Sequence, residues 1–170
     1  MKIWKRLFSR LLMIALAVFA ISAANAESSK RSVGEVVADD VRLATLWKAI
    51  QTAGLEDAFK GDQPLTLFAP DNAAFEQLGR GTFDDLVKDK EKLTKVLKYH
   101  IIPGEKLVLS DKTKGKQTVK TLEGQNVDLT KPKKKRFFAN QAQVTEKDEI
   151  MVGNSVVHII DRVLLPPTGI

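Results

Sequence analysis

Apolar residues recur at helical spacing through most of the first half of the chain and at strand spacing through most of the second. Val33, Val36 and Val37 open the helical part. Leu43, Leu46, Trp47 and Ile50 then follow i, i+3, i+4, i+7, the stripe of a helix with one buried face. Asp39 and Asp40 suit its start and Gly54 its end. Leu55 to Phe59 reads as a further helical turn, stopped by Gly61 and Asp62. Gly79 and Gly81 bracket a predicted turn, and Thr82 is placed to cap a helix carrying Phe83, Leu86 and Val87. The clearest helix follows, with Leu93, Val96, Leu97, His100 and Ile101 on one face.

One strand interrupts the helices. Leu65 to Ala69 is short and apolar; Pro70 stops its pairing because it has no backbone donor, and Asp71 can cap a helix containing Ala74, Phe75 and Leu78. After Gln117 the pattern is strands and turns. Thr118 to Leu122 and Asn126 to Leu129 flank Glu123-Gly124-Gln125 as a hairpin. Arg136 to Ala139, Ala142 to Thr145 and Glu149 to Val152 are short strands. Ser155 to Leu165 is almost wholly apolar, which suits a central strand covered on both faces. Helices first and strands second make the class α+β. Phe68, Phe75, Leu97 and Ile159 are expected to meet in one interior.

The N-terminus changes the charge picture. Lys2, Lys5, Arg6 and Arg10 precede an unbroken apolar run from Leu11 to Ile21, and Ala24-Asn25-Ala26 fits small-x-small cleavage. Residues 1–26 are predicted to be a signal peptide; an uncleaved anchor is the alternative, although the run is shorter than the roughly 20 residues a spanning helix needs. The formal charge of +6 includes those four basic residues, so the mature chain carries only +2 and general nucleic-acid binding is not implied. With no cysteine, an exported chain must be stabilised by packing alone. Residues 27–31 read as a flexible tail and 32–167 as one domain.

Three segments resemble the fasciclin domain, an extracellular adhesion module. Leu65 to Leu78, LTLFAPDNAAFEQL, resembles its first signature, carried by Phe68, Pro70, Asp71 and Phe75. Tyr99-His100 before Ile101-Ile102-Pro103-Gly104 resembles its central Tyr-His segment. Asn154 to Pro167, with Asn154, His158 and Asp161, resembles its second signature. The resemblance implies a wedge-shaped β-sandwich, formed largely by the C-terminal half, with the N-terminal helices packed along it. It also implies an adhesive role for Tyr99-His100, and a weaker one for Glu149-Ile150, where Glu stands in place of the family's Asp. Asp71 replaces a usual hydroxyl residue.

Candidate chemistry is sparse. His100 and His158 are the only histidines. His100 reads either as a binding residue or as a core histidine with an internal partner, for which Asp71 is the expected choice. His158 and Asp161 face opposite ways along a strand. No HExxH cluster or GxSxG turn is present, so neither a catalytic residue, a metal nor a cofactor is expected. Lys131-Pro132-Lys133-Lys134-Lys135-Arg136 reads as a solvated hairpin loop, or as a contact for anionic polymer, lipid headgroups or an acidic partner. The expected function is non-enzymatic binding or adhesion in the periplasm or outside the cell. Its contacts would be with a cell-surface or envelope protein or an anionic glycan, through Tyr99, His100, Glu149, Ile150 and Lys133, Lys134, Lys135 and Arg136. No stable membrane insertion is expected after cleavage. The alternative is a periplasmic carrier of a small apolar ligand or lipid.

Overall fold

Side-chain caps from Ser32, Asp71 and Asp89 set three of the helix starts. In α1 (Val33–Asp39) the Ser32 hydroxyl accepts the Glu35 N–H while the Glu35 carboxylate accepts the Ser32 N–H. Two donors that a helix start leaves open are thereby satisfied. Asp40 caps a 3-10 turn (Val41–Leu43). α2 (Ala44–Ala53) buries Leu46, Ala49 and Ile50 and ends at Gly54 with φ +71°, where glycine is favoured. β1 (Leu65–Pro70) leads through Asp71, whose Oδ1 accepts the Ala74 N–H at 2.7 Å, into α3 (Asn72–Gln77). α4 (Arg80–Lys88) begins directly after Gly79, at φ +80°. Thr82 therefore lies inside the helix rather than capping it, and Gly81 is helical. α5 (Lys90–Tyr99) is capped by Asp89.

The computed structural model describes residues 31–61, 63–109, 115–132 and 136–167. The predicted signal peptide at 1–26, the tail up to residue 30, and Lys133, Lys134 and Lys135 lie outside the described residues. β2 (Ile101–Pro103), β3 (Gly115–Lys120), β4 (Asn126–Lys131), β5 (Phe137–Ala139), β6 (Ala142–Val152) and β7 (Ser155–Ile160) join β1 in a seven-stranded sheet of order β2-β1-β7-β6-β5-β4-β3. Only β1 and β7 run parallel; their register sets Phe68 beside His158 and Pro70 beside Ile160. The fold is α+β, as expected.

The largest departures from the expected strands are in β7 and β6. β7 stops at Ile160 because Asp161 turns back onto β6: its N–H donates to the Gln143 carbonyl at 3.1 Å and its Oδ1 accepts the Gln143 N–H at 2.8 Å. Residues 161–167 then form an irregular strap. The two short strands expected at Ala142–Thr145 and Glu149–Val152 are one strand, β6, with register shifts on either side of Glu146. Such a bulge bends a strand without ending it.

Side-chain alternation along β1 divides the interior in two. Leu65, Leu67 and Ala69 join Ile50, Phe75, Leu93 and Leu97 between sheet and helices. Phe68 points the other way and packs with Tyr99, Ile102, Val127, Leu129 and Ile160. The single interior expected for Phe68, Phe75, Leu97 and Ile159 is thus corrected: Phe68 lies on the opposite face of β1 from Phe75 and Leu97, while Ile159 is buried beside Ala69 in the β1–β7 pair. Residues from β1–β2 and from β3–β4 share the second core although they sit at opposite ends of the ladder, so the sheet folds over on itself. The Leu122 N–H, donating to the Ile101 carbonyl at 2.7 Å, closes that fold.

Candidate functional site

Tyr99 and His100 sit where α5 ends and β2 begins, and both are buried, at 0% and 1% exposed. The Leu164 N–H donates to His100 Nε2 at 2.9 Å, so that nitrogen carries no proton. Nδ1–H therefore donates to the Val96 carbonyl at 2.7 Å. This overturns the expected Asp71 partner, because Asp71 is engaged in capping α3. The sign of the electrostatics reverses as well. A facing carboxylate would raise the histidine pKa; burial instead lowers it to about 4, with the Val96 carbonyl opposing. His100 fastens the 161–167 strap to the end of α5.

His158 does the same work for a different segment. The Asp148 N–H donates to its Nδ1 at 2.8 Å, leaving Nε2–H to donate to the Leu107 carbonyl at 2.8 Å. Asp148, at φ +53°, accepts the Leu109 N–H through Oδ1 at 2.7 Å. Thr66 adds to the same fastening: its hydroxyl accepts the Leu107 N–H and donates to the Glu105 carbonyl, each at 2.8 Å. His158 also lies 5.4 Å from the Phe68 ring, centroid to centroid. Burial lowers its pKa, and the Leu107 carbonyl and Asp148 carboxylate oppose the shift. His158 and Asp161 make no pair, as the strand geometry implied.

Beyond Tyr99 the surface opens. Its hydroxyl donates to the Asn126 carbonyl at 2.8 Å and accepts Asn140 Nδ2–H at 2.9 Å; burial pushes its pKa up. Asn140, at φ +52° in the β5–β6 turn, also accepts the Asp128 N–H through Oδ1. The hydroxyl and Asn140 floor a cleft of about 460 Å³. Asn126, Asp128 and Gln141 line one side, and the strap, with Arg162 and Leu165, lines the other.

The fasciclin domain family model matches residues 41–166. The chain belongs to the fasciclin domain family. It is 35% identical over 150 residues to protein sll1483 of Synechocystis sp., covering 87% of this chain and 81% of that one. It is also 35% identical over 138 residues to transforming growth factor-beta-induced protein ig-h3 of Sus scrofa, covering 81% of this chain but only 20% of that longer protein. Among solved structures it superposes on the FAS1 domain pair of the insect cell adhesion molecule fasciclin I. That match has a TM-score of 0.68 at 15% identity and covers 82% of this chain and 52% of that one, a likeness of fold.

The remaining predicted residues lie elsewhere on this fasciclin domain. Glu149 and Ile150 are in β6. Glu149 Oε1 is 3.4 Å from Arg42, which also holds Asp40 and Glu146, each at 2.7 Å; that hydrogen bonding to Arg42 keeps Asp40 below its ordinary range. Ile150 packs against the helical core. Arg136 reaches Gln143 at 3.5 Å, and the ring of the adjacent Phe137 lies under Lys131 at 4.6 Å and Lys147 at 5.6 Å. Asn154 is an exposed residue of the two-residue β6–β7 turn, after Gly153 at φ +53°. Among the described residues, no set of three His, Cys, Asp or Glu side chains is placed to hold a metal, and no helix is long and apolar enough to cross a membrane. Sequence reasoning missed Thr66, Asp148 and Asn140. The two with positive φ are Asn and Asp, the residue types that most readily accept that conformation, but nothing local told which of the chain's Asn and Asp residues would adopt it.

Proposed function

We propose that this fasciclin domain is a non-enzymatic binding module that acts outside the cytoplasm through protein–protein or protein–envelope contacts. One observation carries the reading: both imidazoles have both ring nitrogens engaged by backbone groups in the core. Neither is left to move a proton for a substrate. The histidines instead hold irregular segments in place, as a rigid display surface needs. The related fold of the insect cell adhesion molecule supports the same class of function.

On this reading the contact residues are Glu149 and Ile150 on β6 and the basic run from Lys133 to Arg136. Tyr99 contributes through its cleft and His100 by holding the cleft wall. A pull-down from cell-envelope extract tests the proposal. Wild-type protein should capture an envelope component, and neutralising Lys133, Lys134, Lys135 and Arg136 together should cut capture several-fold and weaken its salt dependence. Failure to capture anything, or turnover of a substrate abolished at His100 or His158, would overturn it. The apolar strap residues Val163, Leu164 and Leu165 beside the cleft favour a second reading, carriage of a small apolar ligand. Native mass spectrometry showing a co-purified lipid would select it.

A further inference from the structure

Three polar side chains around the Tyr99 cleft have no partner among the described residues: the guanidinium of Arg162 and the amides of Asn126 and Gln141. The polar floor beneath them is already satisfied. Tyr99 and Asn140 are tied to each other and to β4, so the floor is rigid and needs no ligand to complete it. Leu165, 42% exposed, and Pro167 supply an apolar edge. The volume falls within the roughly 300–1,000 Å³ of small-molecule sites.

The chemistry of the free groups selects a ligand class. A guanidinium offers a planar fork of donors that matches a carboxylate. Each amide offers both donors and an acceptor, which suits hydroxyl groups that also do both. We infer that the Tyr99 cleft binds an acidic sugar unit, with Arg162 on the carboxylate and Asn126 and Gln141 on the ring hydroxyls. One group opposes this: Asp128 also lines the cleft. Its carboxylate is held by Lys116 at 2.8 Å and by the Thr118 hydroxyl at 2.6 Å, which compensate its charge. The site also depends on the strap, because Arg162 and Leu165 flank the segment that His100 holds at Leu164.

The inference deepens the proposed function by naming the glycan chemistry, and it rests on that reading only for the biological source of the sugar. The test is an NMR titration of the full chain at fixed ionic strength with sodium glucuronate, glucose and sodium acetate. Glucuronate should give saturable shifts at Asn126, Asn140, Gln141 and Arg162. Glucose and acetate should each bind at least tenfold more weakly, since each lacks half of the recognised groups. R162Q should weaken glucuronate binding at least tenfold with an unchanged spectrum elsewhere, because the Arg162 side chain is exposed. D128N should match or exceed wild type. Absence of saturable shifts, an equal response to glucose or acetate, or retained affinity in R162Q would overturn the site. Envelope capture measured in parallel separates the two ideas: capture with no glucuronate binding removes the cleft alone, whereas loss of capture removes the broader reading.

Discussion

His100 and His158 use one side chain to do one job by opposite routes. Each is buried, each is neutral, and each fastens a segment that has no regular structure. His100 donates through Nδ1 and accepts through Nε2; His158 does the reverse. Their electrostatic settings also differ. No charged group contributes to the His100 shift, whereas the Asp148 carboxylate lies 3.7 Å from His158 Nδ1. An imidazole can thus close two different gaps in the backbone network, and the tautomer is dictated by whichever backbone N–H faces it.

Truncation should break both fastenings and tell them apart. H100A and H158A each remove a buried ring and leave a backbone donor and acceptor unpaired, so each should cost about 3 kcal/mol or more in urea unfolding. Hydrogen exchange should then separate them: the Leu164 amide accelerates in H100A and the Asp148 amide in H158A. Equal acceleration of both amides in either variant would show one cooperative unit instead of two local ones.

Acid should probe the same contrast without mutation. His100 has a folded pKa of about 4 against an ordinary 6.5. In that interval the unfolded chain binds the extra proton. The stabilising contribution is therefore complete above pH 6.5 and falls as pH drops toward 4, by roughly 3 kcal/mol in all. Protonation would also set an N–H on Nε2 against the Leu164 N–H. His158 is shifted in the same direction, so its contribution too is lost as pH falls, with Asp148 moderating the effect. D148N keeps an acceptor for the Leu109 N–H but removes the charge; it should lower the His158 pKa and leave His100 unmoved, read from the imidazole proton resonances.

Local signals in the sequence carried far, and their failures have one cause. Leu65 to Leu78 announces strand, corner and helix because Asp71 acts on its own neighbours; Pro70 does not stop the pairing as expected, since it lies within β1 opposite Ile160. The buried run from Ser155 likewise announces an interior strand. The partners of the histidines were not legible, because Leu164, Leu107 and Asp148 engage through backbone atoms, which every residue possesses. No residue type marks a carbonyl that will accept a histidine proton. The Tyr99 cleft was hidden for a similar reason, since Tyr99 is brought to Asn126 and Asn140 only when the sheet folds over. The approach of Glu149 to Arg42 was hidden in the same way, since β6 brings together residues far apart in the chain.

T66V sharpens the His158 side of the comparison. Valine keeps the shape of threonine but removes the hydroxyl that accepts the Leu107 N–H and donates to the Glu105 carbonyl. Leu107 would then hang from His158 alone. The expected loss is about 2 kcal/mol, within the range for stranding a buried donor. Faster exchange at Leu107, with Leu164 unchanged, would confirm that the effect stays in one region.

The smallest effect decides the most specific point. Asp71 was the natural partner to expect for His100, and its carboxylate is instead bound to the Ala74 N–H. D71A should therefore behave as the loss of a helix cap, costing about 1 kcal/mol. A carboxylate that stabilised an imidazolium would, on removal, lower the pKa of His100; a capping carboxylate facing its own helix would not. The His100 resonance should accordingly titrate in D71A as it does in wild type. A downward move would return Asp71 to the histidine and would mean that the Val96 and Leu164 contacts are not what holds the ring.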